Sequence, residues 1–249
     1  MSPPDKAFFV GRMRECKRIQ SALAAGHNLV LTGPFGIGRT ALLRHLAKQM
    51  NEDWRFIFLD GSQTPARLLR GLIQKWAPKR PGTSRRTATA WKVERRHLAT
   101  LRSPDPRPVV VVLDDVAKVT RPQLDLIRWL KDDGRFRIIA VTERFLPEDG
   151  QRRLRARLYP APLLTLGPLP PRTARRFFET WSDQHRLEWG SDHIHGLTLS
   201  THGYPLGMRE AAKAAQAVVV SHPGHQTSPS SAQGTHTLRP PTIRRTARR

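Results

Sequence analysis

The chain has 249 residues, a net charge of +23 and a mean hydropathy of −0.50, long enough to bury a sizeable core in one large domain or two modest ones. With a pI near 11.6, this charge points to a polyanionic partner (DNA, RNA or anionic lipid), with nucleic acid foremost. No stretch approaches the ~20 apolar residues of a membrane span, and the opening MSPPDKAFFVGR lacks a secretory pattern, so a soluble cytoplasmic protein is expected.

In chain order, apolar spacing predicts a helix over 13–25 (Met13, Cys16, Ile19, Leu23), a strand at 28–32 and a second helix running to 49. Cys16 is the single cysteine, which excludes an intrachain disulfide and a thiolate zinc cluster. RFIFLD at 55–60 predicts a strand, and 64–76 an amphipathic helix with Pro65 in its first turn. Residues 77–108 turn to Pro, Thr, Ser and many Lys or Arg around a candidate helix at 89–101, and read as either a mobile basic excursion or a charged surface helix. VVVVL at 109–113 is the unbroken apolar run of a strand covered on both faces of a parallel sheet. A helix at 122–131 and a buried strand at 137–142 follow. Strands alternating with helices predict an α/β fold with a doubly wound parallel sheet, whose ligand site lies at the carboxyl ends of the strands. After residue 158, LTLGPLPP suggests a short strand or extended linker, followed by helices from 171, at 191–200 and at 205–219; His193 and His195 there read as a polar loop or helix end rather than a metal site. Beyond 221 little can be buried. The expected organisation is a core at 1–160, a small helical subdomain at 161–219 and a disordered basic tail at 220–249.

Between the first strand and the second helix stands GPFGIGRT, residues 33–40. Gly33, Gly36 and Gly38 permit a tight turn with inward N–H groups, and the following helix aims its positive dipole end at the same point, as phosphate binding requires. The candidate nucleotide-binding residues are Gly33, Pro34, Gly36, Ile37, Gly38, Arg39, Thr40 and Ala41, with Thr40 as a magnesium ligand. Arg39 stands where the pattern G-x-x-x-x-G-K-[ST] has lysine. It keeps the charge beside the β- and γ-phosphates, but its planar fork is bulkier than an ammonium, so hydrolysis is expected to slow while binding survives. VVVVL ends in Asp114, assigned to magnesium, and Asp115, assigned to polarising an attacking water. Thr142, ending RIIAVT, is a candidate for contacting the γ-phosphate or that water; a strand-end threonine with a local backbone bond explains it equally well. In QRRLRARL, Arg155 and Arg157 are candidates to donate charge to a neighbouring subunit's phosphate in a homo-oligomer, and each also fits a plain basic face.

In this order the motifs resemble those of the AAA+ and STAND group of P-loop ATPases, over about residues 8–215. FFVGRMREC resembles the group's V-G-R-x-x-E box beside adenine, GPFGIGRT its Walker A, VVVVLDD its Walker B, and RIIAVTER its sensor 1 segment. GYPLGM at 203–208 resembles the G-x-P segment of the helical lid. The resemblance implies a switch that binds ATP or ADP with Mg2+, with Phe9, Val10 and Pro205 near the base. The Asp-Asp ending and GYPL look like STAND signalling ATPases. FLDGSQTPARLLRGLIQKW, with QLDLIRWLKDDGRFRIIAVTE and RRLRARL, is similar to the ExeA, TniB and MuB type, several of which assemble on DNA as transposition helpers. That type carries Asp-Glu and a sensor-2 arginine where this chain has Asp115 and Leu206; Arg209 lies one turn further on. The leading expectation is a slow ATPase switch that associates with DNA without sequence preference. The alternatives are a STAND-type switch binding a protein partner and a nucleotide-binding scaffold without catalysis.

Overall fold

The computed structural model describes residues 9–77, 91–143 and 146–221. The basic stretch at 78–90 and, from residue 222 onward, the tail expected to be disordered over 220–249 lie outside the described residues, while residues 220 and 221 end the last helix. The apolar runs form β1 (Leu29–Gly33), β2 (Arg55–Asp60), β3 (Val109–Val116), β4 (Phe136–Glu143) and β5 (Leu163–Thr165). They make one parallel sheet in the order β2-β3-β4-β1-β5.

Alternation along the strands explains why these runs carry no polar face. Val109, Val111 and Leu113 enter one core cluster, while Val110 and Val112 enter the other. Ile138 and Ala140 likewise face opposite to Ile139 and Val141. Helices α1 (Met13–Ala24) and α2 (Arg39–Gln49) cover the second face through Ile19, Leu23, Leu42, Leu43 and Leu46. The first face is covered by α3 (Pro65–Trp76), α4 (Trp91–Thr100), α5 (Arg121–Asp132) and α6 (Glu148–Leu158). The sheet is therefore doubly wound, and each fully buried Val, Leu or Ile contributes about 1.5–3 kcal/mol. A third cluster, with Phe177, Phe178, Trp181, Ile194 and Met208, joins α7 (Pro171–His185), α8 (Ser191–Thr201) and α9 (Pro205–Ser221).

Three local outcomes refine the sequence expectations. β3 runs on to Val116 past a register irregularity between Leu113 and Val116, where Asp115 takes φ +59°. The segment at 151–158 is helical because Leu154 and Leu158 reach the core while its arginines stay outside or half-buried. In the described part of 77–108, α4 is a charged helix held to the body. Leu98 is fully buried, Glu94 pairs with Arg70 at 3.6 Å, and Arg135 donates to the carbonyls of Leu98 and Leu101.

Candidate functional site

The order β3-β4-β1 brings the carboxyl ends of three strands together, with Asp114, Thr142 and Gly33 at one edge. From Gly33 the chain turns through 34–38 into α2. Gly36 (φ +77°) and Gly38 (φ +91°) occupy the left-handed region, which side chains disfavour. A Cβ on Gly36 would stand 2.8 Å from Leu206.

The loop's carbonyls are held from outside. Leu206 N donates to Gly36 O at 3.2 Å, the Tyr204 hydroxyl donates to Phe35 O, and Arg12 Nη2 donates to Ile37 O at 3.2 Å. In a trans peptide the following N–H points opposite to the C=O. The N–H groups of Gly36, Ile37 and Gly38 therefore point away from these three donors, although Ile37 N also makes a long 3.3 Å bond to Pro34 O. The N–H groups of Arg39, Thr40 and Ala41 have no acceptor within α2, whose first turn adds its partial positive charge.

Thr40 Oγ1 donates to Asp114, with its two carboxylate oxygens at 2.9 and 3.1 Å, joining the start of α2 to the end of β3. Thr142 is fully buried, and among the described residues its Oγ1 has no hydrogen-bond partner. Arg39 turns to the strand ends, where Nη1 donates to Gly33 O (2.9 Å) and Thr142 O (2.5 Å), and Nη2 pairs with Glu143 Oε1 (3.2 Å). Asp115 is exposed at the bulge.

The remaining sequence candidates divide. Pro205 lies against the loop, with its Cβ and Cγ 4.0 Å from where a Gly38 Cβ would be. Phe9 stacks on His45 at 4.1 Å and 17°, and burial, with Lys48 nearby, holds that imidazole below its usual pKa. Val10 packs on the α7–α9 cluster. Arg157 lies on α6, and among the described residues no hydrogen bond or ion pair joins it to the loop.

The site has an ordered β-strand, glycine turn and helix with a strand-end carboxylate opposite, and a family model for an AAA ATPase domain matches residues 9–141, more than half of the chain. The chain belongs to the AAA ATPase family. Solved structures share the fold at low identity. The Aeropyrum pernix Orc1 protein, in complex with DNA, is 17% identical with a TM-score of 0.54, over 87% of this chain and 68% of that one. Cdc6p from Pyrobaculum aerophilum is 16% identical with a TM-score of 0.59, over 86% and 64%. The Thermotoga maritima RuvB Holliday junction branch migration motor is 14% identical with a TM-score of 0.57, over 88% and 66%. The chain thus spans about two thirds of the length of those chains. No curated protein matches the sequence.

Two residues at the site carried no assigned role in the sequence expectations. Arg12, inside the V-G-R box, has a side chain only 6% exposed and bridges Ile37 O and Gly167 O, tying the loop to the segment before α7. Its place in that box was its only signal in the sequence. Glu143 follows Thr142 in sequence, but its pairing with Arg39 spans 104 residues and leaves no local pattern.

Proposed function

We propose that this AAA ATPase is an ATP-binding switch that hydrolyses slowly, uses residues 161–219 as a lid on the nucleotide, and associates with DNA through its basic surface. The observation that carries this reading is one sheet edge where loop N–H groups facing away from the donors to the loop carbonyls, the Thr40–Asp114 pair and the buried hydroxyl of Thr142, without a partner among the described residues, converge. These groups suit a magnesium-bound triphosphate, since amides bind phosphate, hydroxyl and carboxylate oxygens bind Mg2+, and a buried hydroxyl calls for a partner. Bound Mg2+-ATP supplies the triphosphate and its cleavable terminal anhydride. In this reading Gly33 to Ala41 cradle phosphates and Thr40 and Asp114 hold the metal. Asp115 orients the attacking water, Thr142 steadies the terminal phosphate, Phe9, Val10 and Pro205 border the base, and Arg157 serves a neighbouring copy. The bonds of Tyr204 and Leu206 to the loop support the lid role, since any shift of the loop is felt in α9.

DNA association draws on the net charge of +23. It also draws on two neighbours by fold, an Orc1 protein in complex with DNA and a Holliday junction branch migration motor. The engagement of Arg39 by Gly33, Thr142 and Glu143 favours a second reading, a nucleotide-stabilised scaffold without turnover.

The test is steady-state ATP turnover with Mg2+, with and without duplex DNA at low and moderate salt, in the native chain, Arg39→Lys and Asp115→Ala. DNA-stimulated turnover that Asp115→Ala abolishes supports the switch. Turnover found only in Arg39→Lys supports the scaffold. If ATP fails to raise thermal stability, both readings fall, because a ligand of the native state must stabilise it.

A further inference from the structure

Arg39 opens α2, yet its side chain turns back across the ends of β1 and β4. Gly33 and Glu143 are register partners in the β1–β4 pairing, so the carbonyl and the carboxylate that Arg39 binds stand side by side. The Arg39 side chain is 11% exposed and that of Glu143 28%. A guanidinium presents five N–H donors in one fixed plane. Here Nη1 serves two main-chain carbonyls, and Nη2 meets a carboxylate that matches the charge. A compact ammonium has neither the plane nor the reach to serve all three acceptors in this way.

We propose that Glu143 is a carboxylate gate on Arg39: it competes with the phosphates of a bound nucleotide for the guanidinium and so sets nucleotide affinity. The inference rests on the ATP-binding reading above. The loop amides and the α2 terminus draw an anion to the edge where Glu143 already neutralises the cation of the loop. Two anions then share one cation in a largely buried setting, where charges are screened less than in water. An entering phosphate either displaces Glu143 toward solvent, which its side chain already reaches, or binds beside a carboxylate that repels it. Both outcomes weaken binding. The bonds from Nη1 to Gly33 and Thr142 hold the guanidinium in place when Glu143 swings out, so the gate opens without losing the cation.

The experiment is equilibrium titration of the full chain with a fluorescent ATP analogue and Mg2+. The proteins are the wild type, Glu143→Gln, Glu143→Asp, Arg39→Lys and the Arg39→Lys/Glu143→Gln double variant. Glu143→Gln is expected to tighten binding about tenfold, and the charge-keeping Glu143→Asp to stay within about threefold of wild type. In the Arg39→Lys background the gain from Glu143→Gln shrinks below about threefold, because the competition runs through the guanidinium. A tightening on removal of a carboxylate does not arise from damage to the fold. If Glu143→Gln fails to fold, as read by circular dichroism, Glu143→Ala takes its place with the same expectation. Binding that is unchanged or weaker without the carboxylate overturns the gate and leaves Glu143 as a residue that merely positions Arg39. Absence of binding in every variant, Arg39→Lys included, overturns the ATP reading itself and the gate with it.

Discussion

Leaving a buried hydroxyl without a partner costs about 1–3 kcal/mol, and among the described residues Thr142 Oγ1 is such a group. Thr142→Val is therefore expected to leave the ligand-free protein equally stable or up to about 1 kcal/mol more stable. ATP with Mg2+ should then raise the melting temperature of the variant less than that of the wild type, and paired thermal melts measure both effects. His45 gives a prediction in pH. Burial first, and Lys48 second, hold its pKa down in the folded state, so the unfolded chain binds the proton more readily. This contribution is complete above the unfolded pKa of about 6.5 and is lost as pH falls through that value toward the folded pKa. Melts across this range should show a smaller acid-induced loss in His45→Phe than in wild type. At this scale the glycine turn, Thr40 and Asp114 were legible because each stands in a short contiguous motif. The Arg39–Glu143 pair was not, because its halves lie in different elements far apart in sequence.

Among the elements, the strands were legible because continuous apolar residues suit only a position covered on both faces. Helix α6 was harder to see, since only Leu154 and Leu158 mark its inner side among four arginines. The turn of β3 at Asp115 was invisible for another reason, since a bulge reflects how a strand meets its neighbour rather than which residues compose it. Helix α4 depends on Arg135, which holds the carbonyls of Leu98 and Leu101 and lies 4.7 Å over the Trp76 ring. Arg135→Ala is expected to destabilise the protein by about 2–3 kcal/mol. Urea denaturation gives the loss, and faster amide exchange over 91–101 than in the strands locates it.

For the whole molecule the net charge of +23 governs encounter with a polyanion. DNA binding by this chain is expected to weaken by about 10³-fold or more between roughly 50 and 200 mM salt, with equal affinity for unrelated duplexes. Fluorescence anisotropy with two such duplexes over a salt series measures both, and a flat salt response counts against DNA as the partner. The sequence by itself determined most of the strands and helices, the glycine-rich turn between β1 and α2, and the carboxylate at the end of β3, since backbone propensity and apolar periodicity act over a few neighbouring residues. The RIIAVT strand was expected beside the Asp114 strand, but tertiary structure alone decided that β4 also borders β1, that Tyr204 and Leu206 reach the loop, and that Glu143 meets Arg39. The physical reason is that buried strands are apolar on both faces whatever their neighbours, so strand order and the side chains it gathers at one edge follow from packing of the whole sheet.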